Sequence, residues 1–69
     1  MLFNKGIVMF YITVVFIFKT SNGNRAEVLG FVGNSFDTCV KSMHDKMRDY
    51  AQKGNPVINH TIVDIMRKD

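Results

Sequence analysis

With 69 residues, 46% of them hydrophobic and 22% charged, the chain has room for one domain and the composition of a folded one, which excludes a disordered tail, a collagenous repeat or an acidic solvating segment. Nine Lys+Arg against six Asp+Glu give a formal net charge of +3. Cys39 is the single cysteine, so an internal disulfide is excluded. No clustered ligand set points to a structural metal. Below roughly 70–80 residues one core contributes only about 3–5 kcal/mol without such staples, which leaves self-association or a partner protein as the support to expect. Residues 1–69 are expected to form a single domain, with 1–6 a flexible N-terminus.

The first feature in chain order is the apolar run Ile7 to Phe18, closed by Lys19. A membrane-spanning helix needs about 20 apolar residues, more than the run supplies. A signal peptide fits the run length and the positive Lys5, but Lys19 to Arg25 offer no A-x-A-like pair of small residues at a suitable distance for cleavage. Val, Ile, Phe, Tyr and Thr dominate the run, and such side chains suit a pleated, buried strand. The protein is therefore expected in the cytoplasm, with no membrane partner.

Asn22-Gly23 follows, the favoured pair for a type I′ hairpin turn because both central positions need positive φ. The segment Arg25 to Gly33 reads as the second strand. With Ser21 facing Asn24, Ile17 faces Val28, Phe16 faces Leu29, Val15 faces Gly30, Val14 faces Phe31 and Thr13 faces Val32. Directly opposed residues share a face. One face then carries Phe10, Ile12, Val14, Phe16, Phe18, Leu29 and Phe31 and is the expected core. The other carries Tyr11, Thr13, Val15, Ile17, Val28, Gly30 and Val32, and it too is largely apolar where a solvated sheet face would be polar. Gly30 is expected to mark a bulge or a place where another backbone comes close.

Asn34 or Ser35 is placed to cap a helix, with Asp37 in the first turn where its charge suits the helix dipole. Apolar residues recur at Phe36, Cys39, Val40, Met43, Met47, Tyr50 and Ala51, a helical stripe. Gly54 is the expected terminator. Asp37 with Lys41 and Asp49 with Lys53 are acid-first i,i+4 pairs, and Asp45 reaches Arg48 at i+3. The tail from Asn55 to Asp69 admits two readings. Val57, Ile58, Thr61, Ile62, Val63 and Ile65 favour a strand. Asn55 as cap, Pro56 behind it and Ile58, Ile62, Ile65 and Met66 on one side would serve a helix. A strand beside the first would make the long apolar first strand central. The expected fold is thus α+β, a two-layer β-β-α-β domain with a three-stranded antiparallel sheet of order 2-1-3 packed on one helix, the alternative being β-β-α-α.

Catalysis needs a nucleophile with its base, paired carboxylates or a metal cluster in one place, and none is legible. Cys39 falls on the core stripe and reads as a small buried hydrophobe. His44 lies on the solvated side of the helix, and His60 stands apart in the tail. No enzyme, cofactor or metal is expected. The sequon Asn59-His60-Thr61 reads as chance. Lys19, Asn22, Asn24, Arg25, Arg67 and Lys68 would form a nucleic-acid contact if the hairpin tip met the C-terminus, a secondary expectation because the patch is small and diluted by Glu27 and Asp69.

The second sheet face is the more telling feature. Tyr11, Thr13, Val15, Ile17, Val28 and Val32 are the candidate interface, since an exposed apolar patch of several hundred Å2 is uncommon on a monomer. Either a helical tail covers it from within, or another chain does, a second copy or a target. Gly30 permits close approach, and Met43, Met47 and Met66 are adaptable contacts where exposed. In format, a tiny domain with a Phe/Val/Ile hairpin from Phe10 to Val32, one Met-bearing helix from Ser35 to Lys53 and no catalytic motif is similar to the small host-takeover and anti-defence proteins of bacteriophages. The resemblance implies an inhibitor that binds and blocks a host protein. The expected function is a small non-catalytic protein-binding module, a homodimer, acting by occlusion; the alternative is a small basic nucleic-acid-binding regulator.

Overall fold

The computed structural model describes residues 8–69; the expectation of a flexible segment over 1–6 lies outside the described residues. In chain order the elements are β1 (Met9–Thr20), β2 (Gly23–Gly33), α1 (Phe36–Gln52) and β3 (Val57–Lys68). They form one antiparallel sheet of order β2-β1-β3 beneath a single helix, a β-β-α-β arrangement of the α+β class. The tail is a strand. Its helical alternative is set aside because β1, hydrogen-bonded on one edge only, would otherwise leave a long apolar strand unpaired on the other.

Strict alternation along β1 directs Ile12, Val14, Phe16 and Phe18 to the helix, and all four are buried. Cys39 and Met43 of α1 complete the buried set. Phe10, Leu29, Phe31, Val40, Met47, Tyr50, Val57 and Ile62 pack around it. The aromatic members interlock edge to face: Phe18 lies 4.9 Å and Phe16 6.0 Å from Tyr50, centroid to centroid, within the range where such pairs add to simple area burial. The ends of the expected helical stripe, Phe36 and Ala51, are exposed.

The hairpin differs from expectation in its register. Val15, not Ile17, faces Val28, and Thr20 faces Gly23. A type I′ turn over Asn22-Gly23 would need positive φ at both, yet among the described residues only Gly23 (121°) and Gly54 (82°) have it. The turn instead spans Ser21-Asn22, held by the Thr20 hydroxyl, which donates to the Gly23 carbonyl at 2.8 Å and accepts from the Asn22 N–H at 3.3 Å. The slip moves each partner by two residues, so both face assignments survive it.

The helix ends as expected. Ser35 is the cap, its Oγ accepting the Thr38 N–H at 3.1 Å, while Asn34 Oδ1 accepts from the Thr38 hydroxyl at 3.2 Å. At the other end Gly54 N–H bonds to the Ala51 carbonyl and Asn55 N–H to the Tyr50 carbonyl, the paired bonds of a Schellman motif with glycine in the left-handed position. Of the expected helix pairs, Arg48–Asp45 and Lys53–Asp49 form, each at 3.1 Å; Asp37 and Lys41 are not among the ion pairs of the described residues.

Within the described residues, Gly30 is neither at a bulge nor at a tight approach of another backbone. It pairs regularly with Thr13, and an added Cβ would meet only the Ile12 carbonyl oxygen, at 3.9 Å. The close approach falls at Gly33, where a Cβ would lie 2.8 Å from Thr38 Cγ2 and 2.9 Å from its Cβ. The register shifts lie in β3, between the partners of Thr13 and Val14 and between those of Ile17 and Phe18.

Candidate functional site

The helix covers one side of the sheet; among the described residues nothing covers the other. Alternation puts Tyr11, Thr13, Val15 and Ile17 of β1 on it, and the pairing adds Val32, Gly30, Val28 and Ala26 from β2 and Met66, Asp64, Thr61 and Asn59 from β3. All six candidate interface residues therefore share one surface. The β2 edge is its most prominent part, with Val28 67% and Val32 48% exposed beside Tyr11 at 41%. Thr13, Val15 and Ile17 are half-buried in the central strand.

Tail conformation decides whether this face is covered from within, and as a strand β3 lies in the sheet plane, so it extends the face instead. Met66, 54% exposed, is the apolar residue it contributes. Met43 is buried and Met47 packs against the core, so neither serves as a free contact. The apolar surface runs along β1 and β2, and Asp64, Thr61 and Asn59 form a polar margin on β3. Between Tyr11, Thr13 and Val32 the missing side chain of Gly30 leaves a shallow notch floored by Ile12 and Phe31.

The cations of the nucleic-acid reading do not assemble. Arg67 lies opposite Phe10 and Arg25 opposite Phe18, eight residues apart along β1, or about 26 Å at roughly 3.3 Å per residue. Arg25 is paired with Glu27 at 2.8 Å and lies over the Phe18 ring. Arg67 is paired with Asp69 at 2.9 Å and lies over Phe10. Lys19, Asn22 and Asn24 stay with Arg25 at the hairpin tip, and Lys68 with Arg67 at the far end. A continuous basic track for a phosphate backbone is therefore not built by these residues.

Other polar groups have structural partners. The Cys39 thiol is buried and donates to the Phe10 carbonyl at 3.3 Å. The Tyr50 hydroxyl donates to Glu27 Oε1 at 2.9 Å while Glu27 Oε2 accepts from Arg25, closing the helix end onto the sheet. That bond to Glu27, then burial, then the carboxylate charge push the Tyr50 phenol above its ordinary 10.0. His60, which stands alone in sequence, comes beside His44, ring centroids 6.3 Å apart on the helix side. Among the described residues no three His, Cys, Asp or Glu side chains gather as a metal site, and no helix is long and apolar enough to cross a membrane. What the open face offers a ligand is shape and apolar area.

Compared with known proteins, the chain matches no protein-family model, no curated protein and no solved structure.

Proposed function

We propose that this protein is a small non-catalytic protein-binding module whose working surface is the open sheet face, and that it acts by occlusion, seating that face on a protein and shielding the surface beneath. One observation carries the reading: Tyr11, Val28, Val32 and Met66 are exposed on a face that no described element of the chain covers. Apolar surface of this extent on a small domain marks a contact site, and aromatic and methionine side chains are favoured in such contacts. The format shared with phage inhibitors makes a host protein the target of choice. The test uses the immobilised chain as bait in a host lysate. The wild type is expected to retain a partner that Val28→Lys loses while its far-UV circular dichroism stays unchanged. Equal retention by both, or by neither, overturns the reading.

A further inference from the structure

We infer that the open face also recognises a second copy of this chain, packed face to face so that Val28 of each copy fills the notch left by Gly30 of the other. The inference rests on the reading of this face as a protein-binding surface and names one occupant.

Gly30 is the starting point. A glycine inside a strand costs stability relative to alanine, so it calls for a reason. Its φ is not in the left-handed region, its pairing is regular, and a Cβ there meets only one atom, at an ordinary contact distance. Nothing within the described residues requires glycine at this position. What its missing side chain creates is the notch, open to the outside.

The knob that fits the notch is on the same strand. Val28 stands one step along β2 on the same face and is largely exposed. A two-fold axis lying in the face and crossing the strands at the level of Val14 and Leu29 sets Val28 of each copy over Gly30 of the other. Such self-complementarity is the defining property of an isologous interface. The same operation places Val32 over the small Ala26 and Tyr11 over Ile17, large against small along β2. Asp64 falls over Thr61, so no acid faces an acid.

Area sets the strength. Strands of this length at roughly 3.3 Å per residue, spaced about 4.8 Å apart, make a face of about 35 by 15 Å, a footprint on the order of 500 Å2 per copy. Two copies bury about 1,000 Å2, the lower limit for a specific interface. Self-association is therefore concentration-dependent, and a target using the same face must displace the second copy.

Sedimentation equilibrium over a concentration series tests this. The wild type should move from 7.9 kDa toward twice that mass as concentration rises. Gly30→Val, whose Cβ meets no atom closer than 3.9 Å and whose methyls fill the notch, and Val28→Lys should stay monomeric at every concentration with unchanged circular dichroism. If Gly30→Val does not fold, Gly30→Ala, adding one methyl, should fold and associate more weakly than the wild type. A wild type monomeric throughout, or a folded notch-filling variant that associates as strongly as the wild type, overturns the inference. The two readings fail separately. A monomeric wild type whose lysate partner is still lost by Val28→Lys overturns the second copy alone. A notch-dependent dimer whose lysate partner is indifferent to Val28→Lys overturns occlusion of a target alone.

Discussion

Two glycines on β2 are expected to respond to alanine with opposite signs, and the pair tests how the helix is seated. At Gly33 the new methyl would sit 2.8 Å from Thr38 Cγ2, 2.9 Å from Thr38 Cβ and 3.3 Å from the Cys39 nitrogen. Thr38 cannot simply rotate away: its Cβ is fixed to the helix backbone, and its hydroxyl bonds to Asn34 and Ser35. The first turn of α1 must lift from the sheet, loosening the buried Cys39 behind it. Overpacking of this kind costs about 1–3 kcal/mol, offset by about 0.4–1 kcal/mol from the less flexible unfolded chain. The net loss, about 1–2 kcal/mol, should lower the thermal midpoint by roughly 4–15 °C for a domain of this size. At Gly30 the methyl meets one atom at 3.9 Å, so only the favourable term remains and the midpoint should rise by a few degrees. Thermal unfolding by circular dichroism, at a concentration low enough to keep the chain monomeric, reads both. A Gly33→Ala protein as stable as the wild type would refute the tight seating of α1 on β2.

Truncating Phe16, buried and ringed by Phe18, Phe31 and Tyr50, should cost about 3–5 kcal/mol, comparable to the whole stability of so small a domain; far-UV circular dichroism of Phe16→Ala should show a largely unfolded chain at 25 °C. Because the folded state raises the Tyr50 phenol above 10.0, its contribution is complete below that pH and is lost as pH rises through the raised value. Urea unfolding between pH 9 and pH 11.5 should therefore show the wild type losing stability more steeply than Tyr50→Phe, and parallel slopes would remove the Glu27–Tyr50 bond from the account.

Much of the fold was legible because burial follows simple periods. Alternation from Phe10 to Phe18 marked the faces of β1, the spacing from Cys39 to Tyr50 marked the buried stripe of α1, and Gly54 marked its end. The hairpin register was not legible, for a definite reason. Registers differing by two residues bury the same side chains, so the apolar pattern cannot choose between them, and the choice fell to the Thr20 hydroxyl at the turn. The tail was ambiguous for another reason. Its helix-side residues are Val57, His60, Ile62, Ile65 and Arg67, spaced three, two, three and two, because each register shift inserts one extra residue. That mean period lies between strand and helix, so Ile58, Ile62 and Ile65 imitate a helical stripe. The same ambiguity hid the contribution of β3 to the open face, including Met66, and the meeting of His60 with His44.

Among the described residues the sheet has two unpaired edges as well as an open face, and their chemistry favours the face for self-association. The β3 edge is guarded by its two register shifts and by Asp64, Arg67 and Lys68, devices that discourage strand addition. The β2 edge is less guarded: from Val28 to Gly33 it has no charge and regular pairing. A second copy added there would extend the sheet through main-chain hydrogen bonds, yet it would leave Tyr11, Val15 and Ile17 of both copies facing water and double the apolar surface on one side. Stacking the faces removes that surface instead, and apolar area removed from water is the main driving term in association. Gly30 separates the two geometries. In an edge pairing its missing side chain has no role and Gly30→Val, with a better strand former, would be tolerated or helpful. In a face pairing the same substitution closes the notch that Val28 must enter.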